Sequence, residues 1–143
     1  MTAPDRTISK HHTAILAMLR AGSPPFTVYD GQVPNPPSFP YALLNIGTGI
    51  DRGTKLCGDP DETTFRFLVT SVGLTADSVF IVADETKARV LGVRPSVDGR
   101  AVVRIRKEND GGPVQEDRDV TDTATGRHPM FGKDTYVFES RKG

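Results

Sequence analysis

Apolar residues first recur with a helical period: Ile8, His12, Ile15 and Leu19 stand three and four positions apart, with Leu16 and Met18 widening the stripe. Thr7 is placed to cap the start. Gly22 followed by Ser23-Pro24-Pro25 ends the helix, because glycine suits a left-handed cap and proline cannot continue the ladder. The period then drops to two over Phe26 to Tyr29, a short strand turned by Asp30-Gly31. Four prolines between Val33 and Pro40 remove backbone donors, so that stretch is expected to run extended along the surface or over a sheet edge. Tyr41 to Ile46 recovers strand character up to Gly47-Thr48-Gly49, and Ile50 to Asp61 reads as a polar loop.

Phe65, Phe67 and Val69 alternate with Thr64, Arg66 and Leu68, a half-buried strand whose second face is mixed rather than fully polar. Over Asp77 to Leu91, the residues Val79, Val82, Ala83, Thr86 and Val90 share one helical stripe, with Asp84, Glu85, Lys87 and Arg89 outside it. The run Ser78 to Val82 also suits a strand, since β-branched residues favour sheets. As a helix it leaves Ile81 off the stripe and Phe80 at its margin, to be covered either by another subunit or by a neighbouring element. After the tight-turn pair Asp98-Gly99, Ala101, Val103 and Ile105 alternate with Val102, Arg104 and Arg106, which predicts a strand with a basic outer face. Glu108 to Met130 is long, polar and rich in Gly and Thr, a loop or protruding hairpin, and Thr135 to Glu139 closes the chain as a strand. The sum is a single α+β domain over residues 1–143: a mixed or mainly antiparallel β-sheet, two helices on one face, and a long protruding loop or hairpin.

The chain has 143 residues, enough for one core without staples. Hydrophobic residues at 36% and charged residues at 25% are globular values, while 14 Gly and 11 Pro imply many turns. Eighteen basic residues balance eighteen acidic ones, so no net field draws the chain toward nucleic acid or an anionic membrane. A lone cysteine, Cys57, cannot form an internal disulfide, and the start lacks a secretion-signal apolar run, which together predict synthesis in a reducing cytoplasm. No apolar stretch nears the roughly 20 residues that span a bilayer, so a soluble protein is expected.

Candidate chemistry is sparse. His11 and His12 project about 100° apart on a helix and cannot ligate one metal together without further ligands; His12 fits a packed or hydrogen-bonded place at the core margin. Cys57 has Lys55 nearby but no positioned base. Asp59, Asp61 and Glu62 lack the spacing that wraps calcium, and Gly47-Thr48-Gly49 precedes no helix and has no phosphate-binding lysine in register. Arg104, Arg106 and Lys107 form a local cationic footprint for phosphate, or a solvated face partnered by Glu108 and Asp110; no stacking aromatics are interleaved with them. No catalytic, cofactor or metal residue is assigned, and no enzyme activity is expected.

Several stretches in order resemble the tail-terminator proteins of long-tailed bacteriophages. They are Val28-Tyr29-Asp30-Gly31 through the prolines to Pro40-Tyr41, then Phe67 to Gly73 leading into a helix that ends near Leu91-Gly92, then Asp117-Arg118-Asp119-Val120, and finally Tyr136-Val137-Phe138. Together they span nearly the whole chain, with the long Glu108 to Met130 segment as the departure from shorter relatives. The resemblance implies a six-subunit ring on the end of the tail tube that stops tube growth and receives the neck of the filled head. Its partners would be further copies of itself, the tube protein and a head-completion protein, with no cofactor, no membrane and no sequence-specific nucleic acid beyond passive contact with DNA in the lumen. Its place would be the head-proximal end of the tail in the virion.

A six-fold ring needs two unlike complementary patches on each subunit. The candidate contacts are Asp51, Arg52 and Lys55, the margin residues Phe80 and Ile81, the outer face bearing Arg104 and Arg106, and Arg118 and Arg127 on the long loop. A head-closure connector is the neighbouring alternative, and a small ligand-binding module the alternative of a different class.

Overall fold

The computed structural model describes residues 6–52, 62–108 and 112–143. In chain order the elements are α1 (Thr7–Arg20), β1 (Thr27–Asp30), β2 (Tyr41–Ile46), β3 (Ile50–Arg52), β4 (Glu62–Gly73), α2 (Ala76–Val90), β5 (Arg100–Val102), β6 (Arg106–Lys107), β7 (Gln115–Glu116) and β8 (Met130–Lys142). They form the expected α+β domain. One mixed sheet runs β1-β2-β4-β8-β5, with β3 pairing β4 and with β6 and β7 pairing β8. All described pairings are antiparallel except β1 with β2.

β4 and β8 are the spine, paired without a break from Glu62↔Arg141 to Gly73↔Met130. Phe65, Phe67, Val69, Tyr136 and Phe138 point from them toward the helices and are buried, joined by Ala42 and Leu44 of β2 and Val28 of β1. The rings stack across the pair, with centroids 5.4 Å apart for Phe65–Phe138 and 5.3 Å for Phe67–Tyr136. Burial, then Asp134 nearby, pushes the Tyr136 hydroxyl up to about 12.

α2 lies on β4 and β8 and is entered through a capping box. The Thr75 hydroxyl accepts from the Ser78 amide while the Ser78 hydroxyl faces the Thr75 amide. Gly73 precedes this box because a Cβ there would collide with the Ser78 hydroxyl. Val79, Val82, Thr86 and Val90 are buried as the stripe requires, so Ser78 to Val82 is helix and not strand. The Thr86 hydroxyl is one of three buried side-chain oxygens without a partner among the described residues. Thr86→Val removes that uncompensated hydroxyl at nearly constant shape, and should raise stability by about 1 kcal/mol, or about 3–4 °C in a thermal melt.

Four expectations change. The buried stripe of α1 is His11, Ile15 and Leu19, whereas Ile8 is exposed; His12 sits at the core margin, its Nε2 2.7 Å from the Asp30 carboxylate. Thr7 is the first helical residue, and Arg6 before it is left-handed with no side-chain cap. Ile50 to Arg52 is not loop but the short strand β3, and the rest of that expected loop, with Lys55, Cys57, Asp59 and Asp61, lies outside the described residues.

The expected strand over 101–106 is broken between β5 and β6. Ile105 exchanges backbone bonds with Gly92 and Val93 in place of β8. That excursion shifts the phase, so Val102 and Ile105 point inward and Val103 is exposed.

Of the long segment, residues 109–111, with Asp110 among them, lie outside the described residues, and residues 115–130 form a hairpin arm. β7 pairs back on β8 (Gln115↔Phe131, Glu116↔Met130), and residues 117–129 are closed by Asp117 N–H to Pro129 O, Asp122 N–H to Arg127 O, and the Asp122 carboxylate on Thr125.

Candidate functional site

Both helices occupy one face of the sheet, which leaves the side chains of the other face to be accounted for. Those are the residues the strand period sends outward: Tyr41, Leu43 and Asn45 on β2, Arg66, Leu68, Thr70 and Val72 on β4, and Phe131, Lys133 and Val137 on β8. This open face divides into two unlike halves along the strands.

At the end marked by Val72 and Phe131 it is an apolar groove of about 480 Å³. Tyr41, Leu43, Leu68, Val72 and Phe131 form its floor, Pro37 and Phe39 one wall, and Val120 and Pro129 the other. The walls follow from sequence. Parallel pairing of β1 with β2 requires the chain to cross back between Asp30 and Tyr41, and the proline-rich stretch makes that crossing over the open face. Phe39 packs on Tyr41 with centroids 5.6 Å apart, Tyr29 on Tyr41 at 5.3 Å, and the Tyr29 hydroxyl accepts from Ser38 N–H. The opposite wall is the hairpin arm, which brings Asp117 close enough to Tyr41 that, after burial, its charge helps to raise the tyrosine hydroxyl above its ordinary pKa. Lys133 extends over the Phe131 ring, 5.6 Å from the centroid.

Toward Glu62 and Arg141 the same face is charged and self-paired. Arg66 Nε donates to both Glu108 carboxylate oxygens at 2.8 and 2.9 Å, Arg106 grips Glu139 with two bonds of 2.6 Å, and Arg141 reaches Glu62 at 3.2 Å. The Arg106 hydrogen bond holds the Glu139 carboxyl below its usual range, and Glu139 in turn raises Arg106. Val137 is buried beneath these pairs, whose aliphatic stems exclude water from it.

The residues singled out from sequence fall in different places. Arg104 and Arg106 do not share a face: Arg104 donates to Gly92 O just past the end of α2, while Arg106 belongs to the paired half of the sheet. Asp51 accepts from the hydroxyl of its cross-strand partner Thr63 at 2.8 Å, and both Asp51 and Arg52 are exposed on β3. Phe80 and Ile81 are 54% and 47% exposed on α2, so no neighbouring element among the described residues covers them. Arg118 and Arg127 are both exposed on the hairpin arm, Arg118 3.9 Å from Glu116. The groove residues were not singled out. Their signal was Leu68 and Val72, apolar at positions of β4 where a solvated face would be polar.

One constellation has the look of chemistry. His11 Nδ1 lies 2.6 Å from Thr7 O and Nε2 2.6 Å from Ser140 Oγ, which also accepts from Arg100 Nε at 2.9 Å. A neutral imidazole satisfies this chain: Nδ1–H donates to Thr7 O, Ser140 donates to Nε2, and Arg100 donates to Ser140. Burial, reinforced by the charge of Arg100, lowers the His11 pKa against the raising effect of the Thr7 bond. His11 and Ser140 are both fully buried, with the imidazole stacked on Phe65 at 4.4 Å, so the hydroxyl has no approach for a substrate. The arrangement joins α1 to β8. Among the described residues no three His, Cys, Asp or Glu side chains converge as a metal site, and no helix is long and apolar enough to cross a membrane.

A chain in the solved virion of a native gene transfer agent particle has the same fold, with a TM-score of 0.61 over 96% of this chain and 99% of that one. Identity between the two is 15%, so the likeness is one of fold. No known family and no curated protein matches the chain.

Proposed function

We propose that this chain is a structural protein of a phage-like virion and, within that class, a tail terminator: a ring-forming subunit that seats on the finished end of the tail tube, stops tube growth and offers the surface for head joining. The observation that carries the reading is the end-to-end likeness of fold to a chain of the gene transfer agent virion. It covers nearly all of both chains, so it concerns the domain as a unit and not a common fragment.

The surface supports the same reading. Each subunit of a heterologous ring must present two unlike patches, and this domain carries an apolar groove on the open face of its sheet and an exposed apolar pair, Phe80 and Ile81, on its helical layer. Further copies of the chain, the tube protein and a neck protein are the partners of this reading. Its contact residues include Arg52, Arg118 and Arg127, together with Lys55. The task needs neither cofactor nor reaction.

The test is electron microscopy of lysates from a phage or phage-like particle lacking this gene. Overlong tubes beside filled, unattached heads are the expected result. Tubes of normal length beside unattached heads would instead assign the chain to head closure, and normal particles would remove it from assembly altogether.

A further inference from the structure

The groove and the α2 pair are complementary in more than hydrophobicity. On α2 the exposed residues Asp77, Phe80, Ile81 and Asp84 form one continuous surface, because positions three and four apart share a helix face. Two carboxylates therefore flank two large apolar side chains. Among the described residues neither Asp77 nor Asp84 has an ion-pair partner. The groove offers an apolar floor on which Lys133 extends over the Phe131 ring, likewise without an ion pair among the described residues, with Asp117 on the arm side of the lining. The Arg66–Glu108 and Arg106–Glu139 pairs on the same sheet face are satisfied within the subunit, and the carboxylate on the groove wall, Asp117, accepts from the Asp119 amide of its own arm. A lysine held against an apolar floor gains most from a partner that brings both apolar contact and a carboxylate.

We propose that the groove is the receptor for α2 of a neighbouring copy of this chain, with Phe80 and Ile81 entering between the proline-rich wall and the hairpin arm and Asp84 meeting Lys133. The mode is an amphipathic helix face laid into a hydrophobic groove. Patch and receptor differ, so the contact is head-to-tail and each copy uses both surfaces, as a ring requires. This inference rests on the assembly reading above and names the subunit contact within it.

Site-specific cross-linking of assembled particles tests the contact. In a Cys57→Ser background, Phe80→Cys is combined with Val120→Cys on the rim of the groove or with Leu43→Cys on its floor, and particles carrying each variant are oxidised. The expected result is a ladder of covalent multimers of this chain from a double variant and none from the single ones, together with loss of incorporation for Phe80→Glu. Phe80→Glu lies on an exposed helix surface, so its thermal melt should match the parent. Particles that assemble normally while both double variants stay monomeric would overturn the contact and leave the terminator reading intact. A band joining this chain to a different virion protein would overturn it in favour of that partner, and overlong tubes in the gene deletion decide the function separately.

Discussion

Phe65→Ala should cost about 3–5 kcal/mol, the range for truncating a buried aromatic, and lower the thermal midpoint by about 10–15 °C for a domain of this size. Phe65 is fully buried and stands where three elements meet, stacked on Phe138 of β8 at 5.4 Å and on His11 of α1 at 4.4 Å. Removing the ring opens a cavity beneath both the sheet spine and the first helix, and neither can collapse into it without breaking the β4–β8 register. Since domains of this kind have only about 5–15 kcal/mol of stability in total, the variant should be found largely in aggregates when expressed warm. A melt followed by circular dichroism decides the matter; a shift under about 3 °C would mean that the aromatic stack is not the anchor of the core.

His11→Phe should cost about 2–3 kcal/mol at pH 7.5 and less at pH 5.5. The substitution keeps a ring on Phe65 but leaves Thr7 O without its side-chain donor and the Ser140 hydroxyl without its acceptor. The pH dependence comes from the lowered pKa of the folded imidazole. Below its ordinary value of about 6.5 the unfolded chain takes up a proton that folded His11 still refuses, so the parent loses stability as the pH falls from 6.5 toward the folded pKa. The Phe variant has no such group, and the gap between the two proteins therefore narrows on acidification. Urea unfolding at the two pH values measures this difference directly, with the other titrating groups common to both proteins. A constant gap would show that folding leaves the His11 pKa unchanged, and a gap that widens on acidification would show that the fold holds the imidazole charged.

Local rules made much of the fold legible. The Gly22-Ser23-Pro24-Pro25 stop, the alternation of Phe65, Phe67 and Val69, and the stripe from Val79 to Val90 are governed by backbone sterics and by a single period, and each element formed where those rules place it. The α1 stripe shows the limit. Ile8, His12, Ile15 and Leu19 fit the helical period, yet so do His11, Ile15 and Leu19, and only the Ser140 hydroxyl and the Phe65 ring made burial of His11 favourable. Likewise the 101–106 segment alternates cleanly in sequence, but its backbone bonds were divided between β8 and the residues after α2, which no pattern in the segment itself records.

Sequence by itself therefore determined the composition of the elements: two helices, the central strands, an extended proline crossing and a polar arm, with no convergent set of metal or nucleophile residues in the patterns it offers. Tertiary structure decided how surfaces are shared. The groove is made by β2, β4, β8, the proline crossing and the hairpin arm, whose residues lie as far apart as Pro37 and Lys133. Its existence depends on which strands are neighbours and on which side of the sheet the crossing and the arm return. Those choices are set by burying the aromatic face under both helices, a long-range packing energy to which no short window of sequence is sensitive.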